Sequence, residues 1–523
     1  MAIQVSPRHG AVIVPYDPRI TNLFPHAKQI TSQGNSLVVL PHGLDETRLL
    51  RNLGFDVPAP ILWHYDWPSG DNRKPFESQR VTAAMLTLED RAFVLNDMGT
   101  GKTLASLWAY DFLRKTGKAN KLLISATLST LTRVWMMEIF QHLPHLSAVV
   151  LYGAKEKRQK LLAEDHDVYI INHDGLVVME ADLLRRPDID CVILDELALF
   201  RNGRAFRSKS CRRIIKARRW VWGMTGSPTP KEPTDAYGQI ALLRPQNLEG
   251  MGFTRFREKV MNKVTNFKWA PKKEAADTVH ALMQPSVRYT LDDVVELPEM
   301  VEQTINVALG PLQARVYAAL EQHSLATVLE GTVVALNEAS CRTKLLQVAT
   351  GWVYTAGRGI SQLDADERLE ATFDIIDAAR GKVIVFVPFI HALVGIAAYL
   401  RSKGISVATV SGQTPNGERN KIFNEFQNGP GIKALVAHPK CMAHGLTLTS
   451  ADTIVWYAPT DDLETFDQAN RRIRRPGQKS KQLMAMLAGT AIERRVYARL
   501  RAKQSMQGIL LDMYEAQTRK ETT

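Results

Sequence analysis

Three groups of side chains in this sequence could act on a phosphate. The first is Asn96-Asp97-Met98-Gly99-Thr100-Gly101-Lys102-Thr103. In such a stretch glycines let backbone N–H groups wrap a phosphate chain, a lysine reaches the β- and γ-phosphates, and a threonine hydroxyl ligates magnesium. Gly99, Thr100, Gly101, Lys102 and Thr103 are therefore the expected nucleotide-binding residues, although Asn96 stands where the strict pattern has glycine. The second group is Asp195-Glu196, closing the apolar run Val192-Ile193-Leu194. An apolar strand ending this way puts two carboxylates at its C-terminal edge, beside the phosphate loop of a parallel sheet. The third is the arginine cluster Arg471, Arg472, Arg474 and Arg475. An arginine reaching across a cleft stabilises charge on a transferring γ-phosphoryl group and is worth ~10³ or more in rate. Taken together these groups read as an ATPase.

The elements that would position them alternate. Ala92-Phe93-Val94-Leu95 precedes the loop and Leu104 to Ala109 follows it, giving strand, loop, helix. Strands are expected at 91–95, 121–125, 149–152, 168–172, 191–194 and 220–224, with helical stretches between most of them. Alternation of this kind predicts a doubly wound parallel sheet. A second block places strands at 383–387, 406–410, 433–437, 453–457 and 482–487 and carries the arginines but no phosphate loop. The expected organisation is a small N-terminal α/β module over 1–70, a first lobe over 71–245, a helical insertion over 246–370, a second lobe over 371–510 and a polar tail over 511–523. Val383 to Leu400 is apolar enough to suggest a membrane span, but Pro388, His391 and Gly395 interrupt it and a strand followed by a helix explains it better.

Lys and Arg number 66 against 54 acidic residues, a net charge of +12, which suits a polyanionic partner. Clustering is more telling than the total. Nine of the nineteen residues from Arg201 to Arg219 are basic and none is acidic, and six of the eleven from Arg471 to Lys481 are basic. Ile214 and Ile215 turn part of the first run inward, so half of it at most would touch a substrate. Cys191, Cys211, Cys341 and Cys441 have no metal-ligand spacing and read as free thiols of a reducing compartment. No signal segment opens the chain. Trp108, Trp135, Trp220 and Trp222 sit in or beside expected core elements and read as packing. Gln79 stands about twenty residues before the loop, where its amide can make two hydrogen bonds to an adenine edge.

In order and spacing these motifs resemble the Swi/Snf-type group of superfamily-two helicases. Gln79 resembles the adenine-reading glutamine, and Asn96 to Thr103 the Asp-Glu-Met-Gly-Leu-Gly-Lys-Thr loop. Trp135 and Glu138 match a Trp-x-x-Glu segment, Asp195-Glu196 motif II, and Thr225-Gly226-Ser227-Pro228 motif III. Leu297-Pro298 with Leu309, Gln313 and Tyr317 resembles the inter-lobe segment of that group. Gly412, Arg419, Phe423 and Phe426 fit the second-lobe pattern, and Gly445 to Thr449 fits motif V. Gln468, Arg472, Arg475, Gly477 and Gln478 fall on the final Gln-x-x-x-Arg-x-x-Arg-x-Gly-Gln. Motif II lacks a histidine at its fourth place, which is Ala198, and motif V has Thr447 where asparagine is common.

The resemblance implies two RecA-like parallel-sheet lobes that bind ATP and magnesium. Thr103 and Asp195 would hold the metal, Glu196 would orient or deprotonate water, Arg472 and Arg475 would act as fingers, and Gln468 would help place the water or the γ-phosphate. It implies a DNA translocase working on duplex or branched DNA, with Arg201, Arg204, Arg207, Thr225, Gly445 and Thr447 as candidate nucleic-acid contacts. Two alternatives stay open at this point, a strand-separating DNA or RNA helicase and an ATP-clamped regulator that binds nucleic acid without moving. Compactness suggests the cytoplasm of a bacterial or phage-infected cell, with no membrane partner expected and protein partners unknown.

Overall fold

The computed structural model describes residues 3–32, 34–70, 74–264, 269–329, 335–354, 360–442, 447–460 and 462–502. They divide into two compact units, one running to Val294 and the other beginning at Val295.

The first unit is built on a seven-stranded sheet in the order Ser286–Val287, Arg91–Val94, Trp220–Met224, Ile189–Leu194, Lys121–Ala126, Val168–Asn172, Ala148–Leu151. Every pairing in it is parallel. Parallel strands covered on both faces read as near-continuous apolar runs, and Trp220–Met224 is buried at all five positions. Successive residues of one strand feed opposite cores. Ala92 and Val94 pack with Trp108 and Phe112 of helix Lys102–Lys115, whereas Phe93 and Leu95 pack with Ile214, Ile240 and Leu243 on the other face. All four tryptophans named above are fully buried. Their indole N–H groups are satisfied within the chain, for example Trp108 to the Pro68 carbonyl at 2.9 Å and Trp220 to the Lys118 carbonyl at 3.0 Å.

Ahead of this sheet lies an antiparallel four-stranded sheet in the order Gln4–Ser6, Ala11–Pro15, Asn35–Pro41, Lys28–Ser32, with helix Leu44–Asn52 over its apolar face. Arg48 to Asp90 at 3.0 Å and Lys118 to Asp45 at 2.6 Å tie it to the phosphate-loop domain.

The second unit has a six-stranded, wholly parallel sheet in the order Met300–Asn306, Gln482–Ala488, Ala451–Trp456, Lys382–Phe386, Ala434–Ala437, Val407–Val410. The apolar stretch after 382 is strand Lys382–Phe386 and helix Ile390–Ser402, and among the described residues no helix is long and apolar enough to cross a membrane. Cys191, Cys211 and Cys441 are free thiols, and the side chain of Cys341 lies outside the described residues.

One expected boundary is redrawn. The stretch 246–370, expected as a helical insertion, supplies an edge strand to each sheet: Ser286–Val287 pairs with Phe93 and Val94, and Met300–Asn306 pairs with Gln482–Ala488 along seven residues. The first is too short to leave a periodic signal. The second is solvent-facing and polar at most positions, as an edge strand tolerates, so its apolar alternation is weak.

Candidate functional site

Strand Arg91–Val94 delivers the chain into the loop at the C-terminal edge of the first sheet. Asn96 is buried there, with Nδ2 donating to Thr82 Oγ1 at 2.9 Å and Oδ1 accepting from Tyr289 N at 2.9 Å. Asp97 accepts from Arg288 Nη2 at 2.7 Å. Arg288, 2% exposed, also donates through Nη1 to the Leu95 carbonyl at 2.9 Å. The loop is thus anchored to helix Glu77–Leu88 on one side and to residues 288–291 on the other. This gives Asn96 a function that glycine could not serve. The Thr100 hydroxyl closes the turn on the Asp97 carbonyl at 2.8 Å. Gly101 then starts helix Lys102–Lys115 at φ 80°, a left-handed conformation, and an added Cβ would collide with the Gln79 amide.

Lys102 Nζ donates to the Asn96 carbonyl at 2.6 Å. Burial pushes its pKa down to about 8, against the pull of Glu196, Asp195 and Asp97. A half-buried ammonium held on loop carbonyls, with backbone N–H groups at a helix start beside it, is a cradle that fits a phosphate chain. Gln79 is engaged at both ends of its amide, Oε1 with Phe76 N at 2.9 Å and Nε2 with the Gly101 carbonyl at 3.3 Å, and so packs against the close of this cradle.

Asp195 and Glu196 follow strand Ile189–Leu194. Asp195 is fixed by three bonds: its N–H to the Ser125 carbonyl at 2.8 Å, Trp135 Nε1 to Oδ2 at 3.0 Å, and Glu196 N to Oδ1 at 3.0 Å. Trp135 rides on a π-helical turn, Leu131–Met136, of the kind that often marks a functional site. Burial raises the Asp195 carboxyl above its usual range, an arrangement that favours a nearby cation. Each Asp195 oxygen keeps a lone pair after accepting one bond, and Thr103 lies in the first turn of the loop helix, so this oxygen donor set fits a hard divalent metal. Glu196 is held at φ 51°, ψ 54°, a left-handed conformation that costs a side-chain-bearing residue on the order of 1 kcal/mol.

Motif III completes this edge. Its strand, Trp220–Met224, lies between the loop strand and the carboxylate strand. Thr225, expected among the nucleic-acid contacts, is 1% exposed, and its hydroxyl lies 3.3 Å from Glu196 Oε1. A Cβ on Gly226 would sit 3.7 Å from Lys102 Nζ.

Of the basic run, Arg207 donates to Asp174 Oδ1 at 2.9 Å, Arg201 approaches Asp235 at 3.7 Å, and Arg204 is exposed. In the second unit Gln468 Nε2 donates to Glu464 Oε1 at 3.3 Å on helix Leu463–Asn470. Arg472 is wholly buried, and its carbonyl accepts from Leu448 N at 3.0 Å. Arg475 donates to the Arg471 carbonyl at 3.3 Å, and burial lowers its pKa to about 10. Thr447 is exposed, and Gly445 lies outside the described residues. Sequence reasoning passed over Arg288, which no motif signals, and took Trp135 for packing when its indole also orients Asp195.

Two parallel-sheet units, the first carrying the loop 96–103 and the carboxylates Asp195 and Glu196 at one sheet edge, fit an ATPase of the helicase type. The chain matches the SNF2-related domain over residues 79–350 and the helicase conserved C-terminal domain over residues 367–477, and it belongs to the SNF2-related family. It is 26% identical to putative protein p41 of Acyrthosiphon pisum secondary endosymbiont phage 1, over 81% of this chain and 94% of that one. It is 23% identical to the SWI/SNF-related matrix-associated actin-dependent regulator of chromatin subfamily A-like protein 1 of Xenopus tropicalis, over 81% of this chain and 43% of that one. The chain therefore spans less than half the length of that relative. Among solved structures it is similar to the Sulfolobus solfataricus SWI2/SNF2 ATPase core in complex with dsDNA, with 21% identity, TM-score 0.40, and coverage of 86% of this chain and 96% of that one.

Proposed function

We propose that this chain is an ATP-dependent DNA translocase that binds ATP at the first-unit loop and moves along duplex or branched DNA. The observation that carries the reading is the convergence of Lys102, Asp195, Glu196 and Thr225 on one sheet edge, with the Thr225 hydroxyl on Glu196 Oε1. Lys102 and the loop amides hold the β- and γ-phosphates, and Gln79 is the candidate for the adenine edge. Magnesium, when bound, would offset charge on those phosphates, and Thr103 and Asp195 are the residues that would hold it. Glu196 orients or deprotonates the attacking water, and its strained backbone with the Thr225 contact fixes the carboxylate for that task. The family resemblance makes Gln468, Arg472 and Arg475 the candidates for placing water and for stabilising charge on the transferring phosphoryl.

DNA as the polymer is supported by the net charge of +12 and by the family's motif order. Arg204 and Thr447, both exposed, are the better-placed of the candidate contacts. Contacts should fall on phosphates, since a motor that steps along any sequence cannot depend on base edges.

The test is ATP hydrolysis at fixed moderate salt with no polymer, duplex DNA, single-stranded DNA and RNA. Duplex DNA should stimulate most. Lys102→Ala should abolish turnover by removing phosphate binding, whereas Glu196→Gln should keep ATP binding and lower kcat by about 10²-fold or more. Best stimulation by single strands or RNA would move the assignment to strand separation. Intact ATP binding without turnover under all four conditions would move it to an ATP clamp.

A further inference from the structure

Beyond the carboxylate strand, helix Phe206–Ile215 carries most of the basic run, and its first side chain stands in solvent. At 81% exposed, Phe206 is the most exposed large apolar side chain among the described residues, so packing within the chain does not account for it. The backbone that presents the ring is anchored. The Ser208 hydroxyl donates to the Asn202 carbonyl at 2.7 Å, and Ser208 and Ser210 are buried on the inner side of the helix. Asp174 approaches from the start of the neighbouring helix and is neutralised by Arg207 at 2.7 Å. The exposed charged residues that flank the ring in the chain are cations. Arg204 lies two residues before it and Lys209 one helical turn after it, with Lys209 Nζ 5.9 Å from the ring centroid. Neither Arg204 nor Lys209 has a carboxylate within ion-pair distance among the described residues, and no acidic residue occurs from Arg201 to Arg219.

We infer that Phe206 is a base-stacking residue, whose ring lies on the face of an unpaired base in DNA while Arg204 and Lys209 hold phosphates on either side. The inference rests on the DNA-translocase reading and deepens it, because it adds a base contact to a surface otherwise expected to meet phosphates alone. An exposed ring interleaved with cations that lack internal carboxylate partners matches a single strand, which presents a phosphate and a π-face in every nucleotide. An aromatic anchor for a protein partner instead needs surroundings that seal it from water, and flanking solvated cations do not supply them. Stacking tolerates any sequence because every base has a face, so it is compatible with a motor that reads no base edges. In a continuous duplex those faces are covered by neighbouring bases, whereas a gap leaves them open. Phe206 therefore gives the chain a preference for duplex DNA that contains unpaired bases.

The experiment titrates the full chain, at one moderate salt concentration and without nucleotide, into two labelled duplexes of the same length and sequence, one continuous and one with a short single-stranded gap. Fluorescence anisotropy reads affinity, and a 2-aminopurine placed in the gap reads stacking. Wild type should bind the gapped duplex about fivefold or more tighter than the continuous one. Phe206→Ala should erase that preference and leave affinity for the continuous duplex unchanged, since loss of a stacked ring costs roughly fivefold to a hundredfold in affinity. Phe206→Trp should keep the preference, and the 2-aminopurine signal should respond to wild type and Phe206→Trp but not to Phe206→Ala. Each variant's circular dichroism should match wild type, as expected for so exposed a side chain. Equal affinity of wild type for the two duplexes, or an undiminished preference in Phe206→Ala, would overturn the proposal, leave the DNA reading standing and point the ring toward a protein partner. An equal loss on both duplexes in Phe206→Ala would overturn it too, because the ring would then serve paired DNA. Failure of wild type to bind either duplex would overturn both the proposal and the DNA reading beneath it.

Discussion

Two side chains at the site act through others. Trp135 gives its indole N–H to Asp195 Oδ2 at 3.0 Å, a hydrogen bond to a half-buried carboxylate worth about 1.5–3 kcal/mol. Trp135→Phe keeps most of the packing and removes the donor. It should lower kcat by about tenfold and raise the magnesium concentration needed for half-maximal hydrolysis, read from a metal titration at saturating ATP. Arg288 neutralises Asp97 in a buried pair and spans to the Leu95 carbonyl. Arg288→Ala leaves an uncompensated buried carboxylate under the phosphate loop and should destabilise the first unit by about 3–5 kcal/mol, with ATP affinity falling in parallel. Denaturant unfolding followed by tryptophan fluorescence, alongside nucleotide binding, measures both.

At the scale of elements, the N-terminal sheet carries a proton-sensitive contact. His42 Nε2 lies 2.8 Å from the Pro58 carbonyl, which can only accept, so that nitrogen carries the proton and His42 Nδ1 accepts from His64 Nε2 at 3.0 Å. Burial lowers the pKa of both rings. The folded state thus binds protons less readily than the unfolded chain, whose histidines titrate near 6.5. Stability is therefore full above that pH and falls as the pH drops through and below it, when two N–H groups come to face each other. Melting curves between pH 7.5 and 5.5 should show the decline, and His64→Gln should reduce it. The same scale explains where reading of the sequence stopped. Strand Trp220–Met224 was legible as an apolar run, but its place between the loop strand and the carboxylate strand was not, and that place brings Thr225 to Glu196 rather than to solvent.

For the whole molecule, the motor reading makes a demand on binding as well as on hydrolysis. Affinity for duplex DNA should fall linearly on a log–log plot against salt, with a slope of about −0.9 for each phosphate contact, and should be alike for two duplexes of unrelated sequence. Titrations at four salt concentrations test this. A shallow slope with strong sequence preference would remove the support for stepping along any duplex.

The sequence by itself determined the two parallel sheets, because strands covered on both faces must be apolar throughout and so announce themselves locally. It also singled out the loop 96–103 and the carboxylate pair as candidates, because the chemistry expected of them needs fixed residue types at short spacing. Tertiary structure alone decided the partners of those groups. Asn96, Asp97 and Leu95 meet residues nearly two hundred positions away, at Arg288 and Tyr289, and Asp195 meets Trp135 sixty positions earlier. Side-chain contacts across such separations follow from strand order and register, which no local period encodes. The edge strands Ser286–Val287 and Met300–Asn306 belong with them, since backbone pairing to a preformed sheet, rather than burial of their own side chains, makes them strands.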